Sequence, residues 1–93
     1  MNCTTKDAVL VERIAAAERR FRRACQQIVH LNYRLDGLQK RYNRAKLEQH
    51  RSFRYSLRLR IAVVDGLREV YYEFALQKAK EVDELKAVLQ KVE

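Results

Sequence analysis

Histidine, cysteine and carboxylate side chains build most metal sites and catalytic pairs, and this 93-residue chain offers His30, His50, Cys3 and Cys25 beside twelve Asp and Glu. Neither histidine has a Cys, Asp or Glu at ligand-pair spacing on the same helical face beyond chance neighbours, whereas a zinc centre needs several such donors converging. Cys3 and Cys25 lie far apart with no second pair, so neither a disulfide framework nor a redox pair is encoded. A glycine-rich phosphate loop and a nucleophile elbow are both missing. We expect no catalytic residue, no metal ligand, no cofactor and no small-molecule substrate, and hence not an enzyme.

The chemistry the chain does offer is positive charge. Lys and Arg number 20 against 12 Asp and Glu, for a net charge of +8. Residues 19–60 hold thirteen basic against two acidic groups, while residues 1–18 hold two against three and residues 65–93 five against seven. This central block, with Arg19, Arg20, Arg22, Arg23, Lys40, Arg41, Arg44, Arg51, Arg54 and Arg58 as its candidate basic surface, should attract something acidic. Three readings stand open. The block is a solvated helix face; or it contacts nucleic-acid phosphates, with Tyr33, Tyr42, Phe53 and Tyr55 stacking on bases; or it meets an acidic protein surface or anionic lipid headgroups. A groove-reading basic region would be polar all round and precede a separate zipper, which this block does not. Arg19-Arg20-Phe21-Arg22-Arg23 also fits a nuclear-import signal.

What positions these charges is an apolar stripe. Steps of alternately four and three residues from Leu10 land on Leu10, Ile14, Ala17, Phe21, Ala24, Ile28, Leu31, Leu35, Leu38, Tyr42 and Ala45, never on a polar residue. A mean spacing of 3.5 places all eleven on one narrow face of an α-helix, as in a coiled-coil seam. Gly37 interrupts composition but not phase, so the helix is expected to continue through it at a cost of about 1 kcal/mol relative to Ala. Thr4 is a candidate N-cap.

Past Lys46 the phase breaks. The next series is Phe53, Leu57, Val64, Leu67, Tyr71, Phe74, Leu85, Val88 and Val92, with Arg60, Lys78 and Glu81 at polar stations and Ile61, Ala75, Val82 and Leu89 alongside as substitutes. This predicts an all-α fold, a long antiparallel helical hairpin: helix 1 over 5–47, a turn over 48–52 with Ser52 as N-cap, helix 2 over 53–91, in a single domain. Facing positions should add to about 98, the register that lays the 36-residue seam stretch Leu10–Ala45, roughly 54 Å long, against the second helix. Alternatives are a three-helix bundle with turns at Asp36-Gly37 and Asp65-Gly66, within an internal echo of Leu35–Tyr42 at Val64–Tyr71, or one long helix in a dimeric coiled coil. Residues 51–61 also alternate with strand periodicity, but a lone strand would have nothing to pair with.

The seam is either the chain's own core or a surface for another chain. On the partner reading Leu10, Ile14, Phe21, Ile28, Leu31, Leu35, Leu38 and Tyr42 carry the contact, and Tyr72, off the stripe, is a candidate aromatic anchor. With Ile14 at position a, Arg13, Arg20, Arg34 and Arg41 fall at g; a parallel homodimer pairs few of them, so a partner with acidic flanks fits better than self-association. No apolar run approaches the roughly 20 residues of a membrane span, and no signal peptide is evident. The expectation is an intracellular protein, cytoplasmic or nuclear: a helical interaction or adaptor protein, or small complex subunit, binding through its seam and basic surface. The alternative is a basic, dimeric, helical nucleic-acid-binding protein.

Overall fold

A backbone whose apolar residues recur every 3.5 positions satisfies its own hydrogen bonds as helix and then must cover the stripe. The computed structural model, which describes the backbone of residues 2–92 and the side chains of residues 7–91, shows both steps. Helix α1 spans Asn2–Leu47 and α2 spans Arg51–Val92, and the two form a helical hairpin with extensive contacts between them. Among the described residues there is no strand, so residues 51–61 resolve in favour of helix. Asp36-Gly37 and Asp65-Gly66 both lie inside helices, which removes the three-helix bundle, and the break at 48–50 removes the single long helix. Helix α1 already includes Thr4, which therefore does not precede it; the side chains of Thr4 and Cys3 lie outside those described.

The turn is tighter than expected. The Gln49 amide donates to the Lys46 carbonyl at 3.3 Å and the His50 amide to the Ala45 carbonyl at 3.1 Å, with Gln49 at φ 62°. That pairing is a Schellman closure, which satisfies two last-turn carbonyls by placing one residue in the left-handed region. The His50 carbonyl then accepts from the Arg54 amide at 2.9 Å, so His50 occupies the N-cap position of α2. Ser52 sits within the first turn of α2, not ahead of it, because the Schellman closure spends only three residues.

Contacts divide the chain into two compact units, residues 1–25 with 72–93, and residues 26–71. In the first, Ile14, Ala17, Val82 and Leu85 form a buried cluster with Leu10 and Leu89 packed against it, and Ala24 and Ala75 are buried too. In the second, Ile28, Leu31, Ala45, Leu57 and Val64 are buried, and Leu57 is fully enclosed. Register in this unit is marked by two cross-helix hydrogen bonds: Arg58 Nη2 donates to the Tyr42 hydroxyl at 3.2 Å, and Arg68 Nη1 to Asn32 Oδ1 at 3.0 Å. Both pairs add to 100, within two of the expected register.

Every one of the eleven stripe positions of α1 is buried or half-buried. Helix α2 departs from expectation at four apolar stations, while the substitutes Ile61, Ala75, Val82 and Leu89 do turn inward; the side chain of Val92 lies outside those described. Its inward residues are Arg54, Leu57, Ile61, Val64, Arg68, Tyr71, Ala75, Lys78, Val82, Leu85 and Leu89, all buried or half-buried, whereas Phe53, Leu67, Phe74 and Val88 are exposed. Arg54, Arg68 and Lys78 take inward positions because their long stems pack as hydrocarbon, and the heads of Arg68 and Lys78 reach polar groups at the edge. Arg68 bonds Asp65 as well as Asn32, and Lys78 bonds Glu81 at 2.9 Å.

Candidate functional site

Closing the seam inside the chain changes what is left to bind anything. Ile14, Ile28 and Leu31 are buried; Leu10, Phe21, Leu35, Leu38 and Tyr42 keep only a half-exposed edge. The apolar surface remaining is elsewhere. Of fifteen large apolar side chains exposed among the described residues, ten lie on α2, so this helix is the one with a second, uncovered apolar face. Within the 26–71 unit, Leu59, Val63, Leu67 and Val70 follow one another at helical spacing, 52%, 71%, 43% and 60% exposed. Residues three or four apart on a helix are neighbours on its surface, so these four form one continuous row.

Between the first two residues of this row, Leu59 and Val63, and α1 runs an open groove of about 590 Å³. Helix α1 lines it with Tyr33, Arg34, Gly37, Leu38 and Arg41, and α2 with Leu59, Arg60, Val63 and Val64. Leu38 and Val64 are its floor, Tyr33, Leu59 and Val63 its apolar rims, and Arg34, Arg41 and Arg60 its charge. No acidic side chain lines the groove, and none of these three arginines has an ion-pair partner among the described residues.

Gly37 leaves a gap in the α1 wall. It is helical with no positive φ, and a Cβ built there would meet nothing within 4 Å. Neither a turn nor close packing inside the hairpin therefore requires glycine at this position, although it weakens the helix.

The turn end of the same unit holds a second basic feature. Tyr42, Arg51, Arg54, Tyr55 and Arg58 surround a hollow of about 260 Å³. The Arg58 guanidinium donates to the Tyr42 hydroxyl and lies 6.0 Å from the ring centroid, and its hydrogen bond and charge hold the phenol below its ordinary value of 10.0. Arg54 Nε is enclosed without a hydrogen-bond partner. Here α2 opens with Arg51 and no acidic residue in its first turn, so the positive end of the helix dipole adds to the arginine charge.

The remaining basic positions are dispersed. Arg19, Arg20, Arg22 and Arg23 are exposed on α1 in the other unit, where Arg22 lies 3.9 Å from Glu18 and Arg19 borders a shallow hollow with Glu12 and Arg13. Arg13 and Arg20 also help hold the Glu81 carboxyl below its usual value, behind the larger effect of the Lys78 hydrogen bond. Lys40 pairs with Asp36 at 3.0 Å, and Arg44 is exposed in the last turn of α1. Tyr72 is 45% exposed; Phe74, expected in the core, is 38% exposed with the Lys78 ammonium 5.4 Å over its ring. Of the expected basic surface, Arg51, Arg54 and Arg58 come together at the turn, whereas the groove was not foreseen from the sequence. Its signal was the spacing of Leu59, Val63, Leu67 and Val70 beside a glycine that no turn used.

Among the described residues, no group of three or more His, Cys, Asp or Glu is placed to hold a metal ion, and no helix is long and apolar enough to cross a membrane. The fold and site define an all-α helical hairpin with one bare apolar row beside a basic edge. No protein-family model, curated protein or solved structure matches the chain.

Proposed function

We propose that this chain is a non-enzymatic helical adaptor or complex subunit that holds another protein on the outside of its hairpin. The observation that carries the reading is the bare row of Leu59, Val63, Leu67 and Val70 on a helix whose seam is already filled. Contiguous exposed apolar surface rimmed by charge is characteristic of interaction sites. The seam residues then serve to stiffen the platform, and the contact moves from the seam to the outer face.

A second reading, nucleic-acid binding, is favoured by the Tyr42, Arg51, Arg54, Tyr55 and Arg58 cluster, which combines arginines with two aromatic rings. A photoreactive amino acid at position 63 separates the two in cells. The adaptor reading expects a protein adduct that survives nuclease treatment. An adduct consisting only of nucleic acid, or binding of an oligonucleotide that falls steeply as salt rises, would favour the second reading instead.

A further inference from the structure

Resting on the adaptor reading, we propose that the groove between α1 and α2 receives an acidic amphipathic helix of a partner protein, which lies along the hairpin and completes a local three-helix section. Three observations converge on that occupant. The trough is apolar along its floor and rims, as a helix laying its hydrophobic stripe into a groove requires. Its charged border is uniformly arginine: Arg34 and Arg41 stand two helical turns apart on α1 and Arg60 opposes them on α2, none carrying an ion pair among the described residues. Glutamates flanking the apolar stripe of an incoming helix would meet all three, and arginine binds carboxylates through two parallel hydrogen bonds.

The third observation is Gly37. A glycine inside a helix costs about 1 kcal/mol relative to alanine, and the hairpin's own packing does not use the space it leaves. Missing a side chain in the groove wall allows a second backbone to come close. A second copy of this chain does not suit the site, because both units are basic: residues 26–71 hold ten Lys and Arg against four Asp and Glu, and the remaining residues hold ten against eight.

The test uses the full chain, which contains no tryptophan, and a synthetic helical peptide with Leu at seam positions, Glu at the flanks and one Trp as reporter. A second peptide carries Lys in place of every Glu. The acidic peptide is expected to shift its Trp emission on titration, and the Lys peptide to bind at least tenfold more weakly. Gly37→Leu should abolish the shift while helicity and melting temperature hold or rise, since nothing occupies that space. Gly66→Leu, an equivalent change outside the groove, should leave binding unaltered, and Arg34→Glu with Arg41→Glu should weaken it more than tenfold.

Failure of the acidic peptide to bind, or binding indifferent to Gly37→Leu, overturns the inference. A concentration-dependent doubling of mass that Val63→Glu abolishes overturns it in favour of self-association. If position 63 still cross-links to protein while the acidic peptide fails, the adaptor reading survives and the helical occupant does not.

Discussion

Gln49 occupies the left-handed backbone region at φ 62°, where a side chain crowds the neighbouring carbonyl. The Schellman closure demands that conformation, and glycine adopts it without the clash. Gln49→Gly should stabilise the hairpin by about 1 kcal/mol, seen as a melting temperature higher by roughly 4–8 °C. Tyr42 offers a test of the turn's electrostatics. Its phenol loses a proton more readily in the folded chain because Arg58 stabilises the phenolate. A lowered acid pKa adds stability that is full above the unfolded value near 10.0 and is lost as pH falls through the folded value. Arg58→Gln should move the Tyr42 titration back towards 10.0, as followed by NMR of the ring protons, and remove that alkaline gain.

Inward and outward faces of α2 make opposite demands on neighbouring leucines. Leu57 is fully enclosed, so Leu57→Ala leaves a cavity and should cost about 2–5 kcal/mol. Leu59 is 52% exposed on the groove rim, and Leu59→Ala should change stability by no more than about 0.5 kcal/mol. Denaturant midpoints of the two variants check the assignment directly. This contrast also explains how far the elements were legible in the sequence. The α1 stripe could be read in full, because none of its eleven stations is polar and no competing stripe lies beside it. Helix α2 is apolar on two adjacent stripes, one inward through Leu57, Val64 and Leu85, the other outward through Val63, Leu67 and Val70. Reading hydrophobicity alone selects Phe53, Leu67, Phe74 and Val88 for the core, yet Arg54, Arg68 and Lys78 take the inward heptad positions by burying their stems. Asp65 for Arg68 and Glu81 for Lys78 lie three residues away along α2 itself, but the Asn32 partner of Arg68 comes from α1 and exists only once the helices are side by side. The groove was hidden for the same reason, since it is made by two helices together.

For the whole molecule, the central claim is that the heptad seam is satisfied within one chain, which frees the outer face for a partner. A 93-residue hairpin has little core per residue, and a chain that needed a second copy to cover its stripe would show stability linked to concentration. With only the chain's own second helix against them, six of the eleven α1 stations are buried and the other five half-buried, which argues for self-sufficiency. Leu31 is 3% exposed in that seam, and Leu31→Glu should melt the fold rather than merely release a partner. The most direct measurement is helicity by circular dichroism together with mass in solution over an on the order of 100-fold range of concentration. A constant helical signal and a constant mass of 11.1 kDa are expected. Helicity that grows with concentration as the mass doubles would contradict it, and would return the seam to an interface between chains.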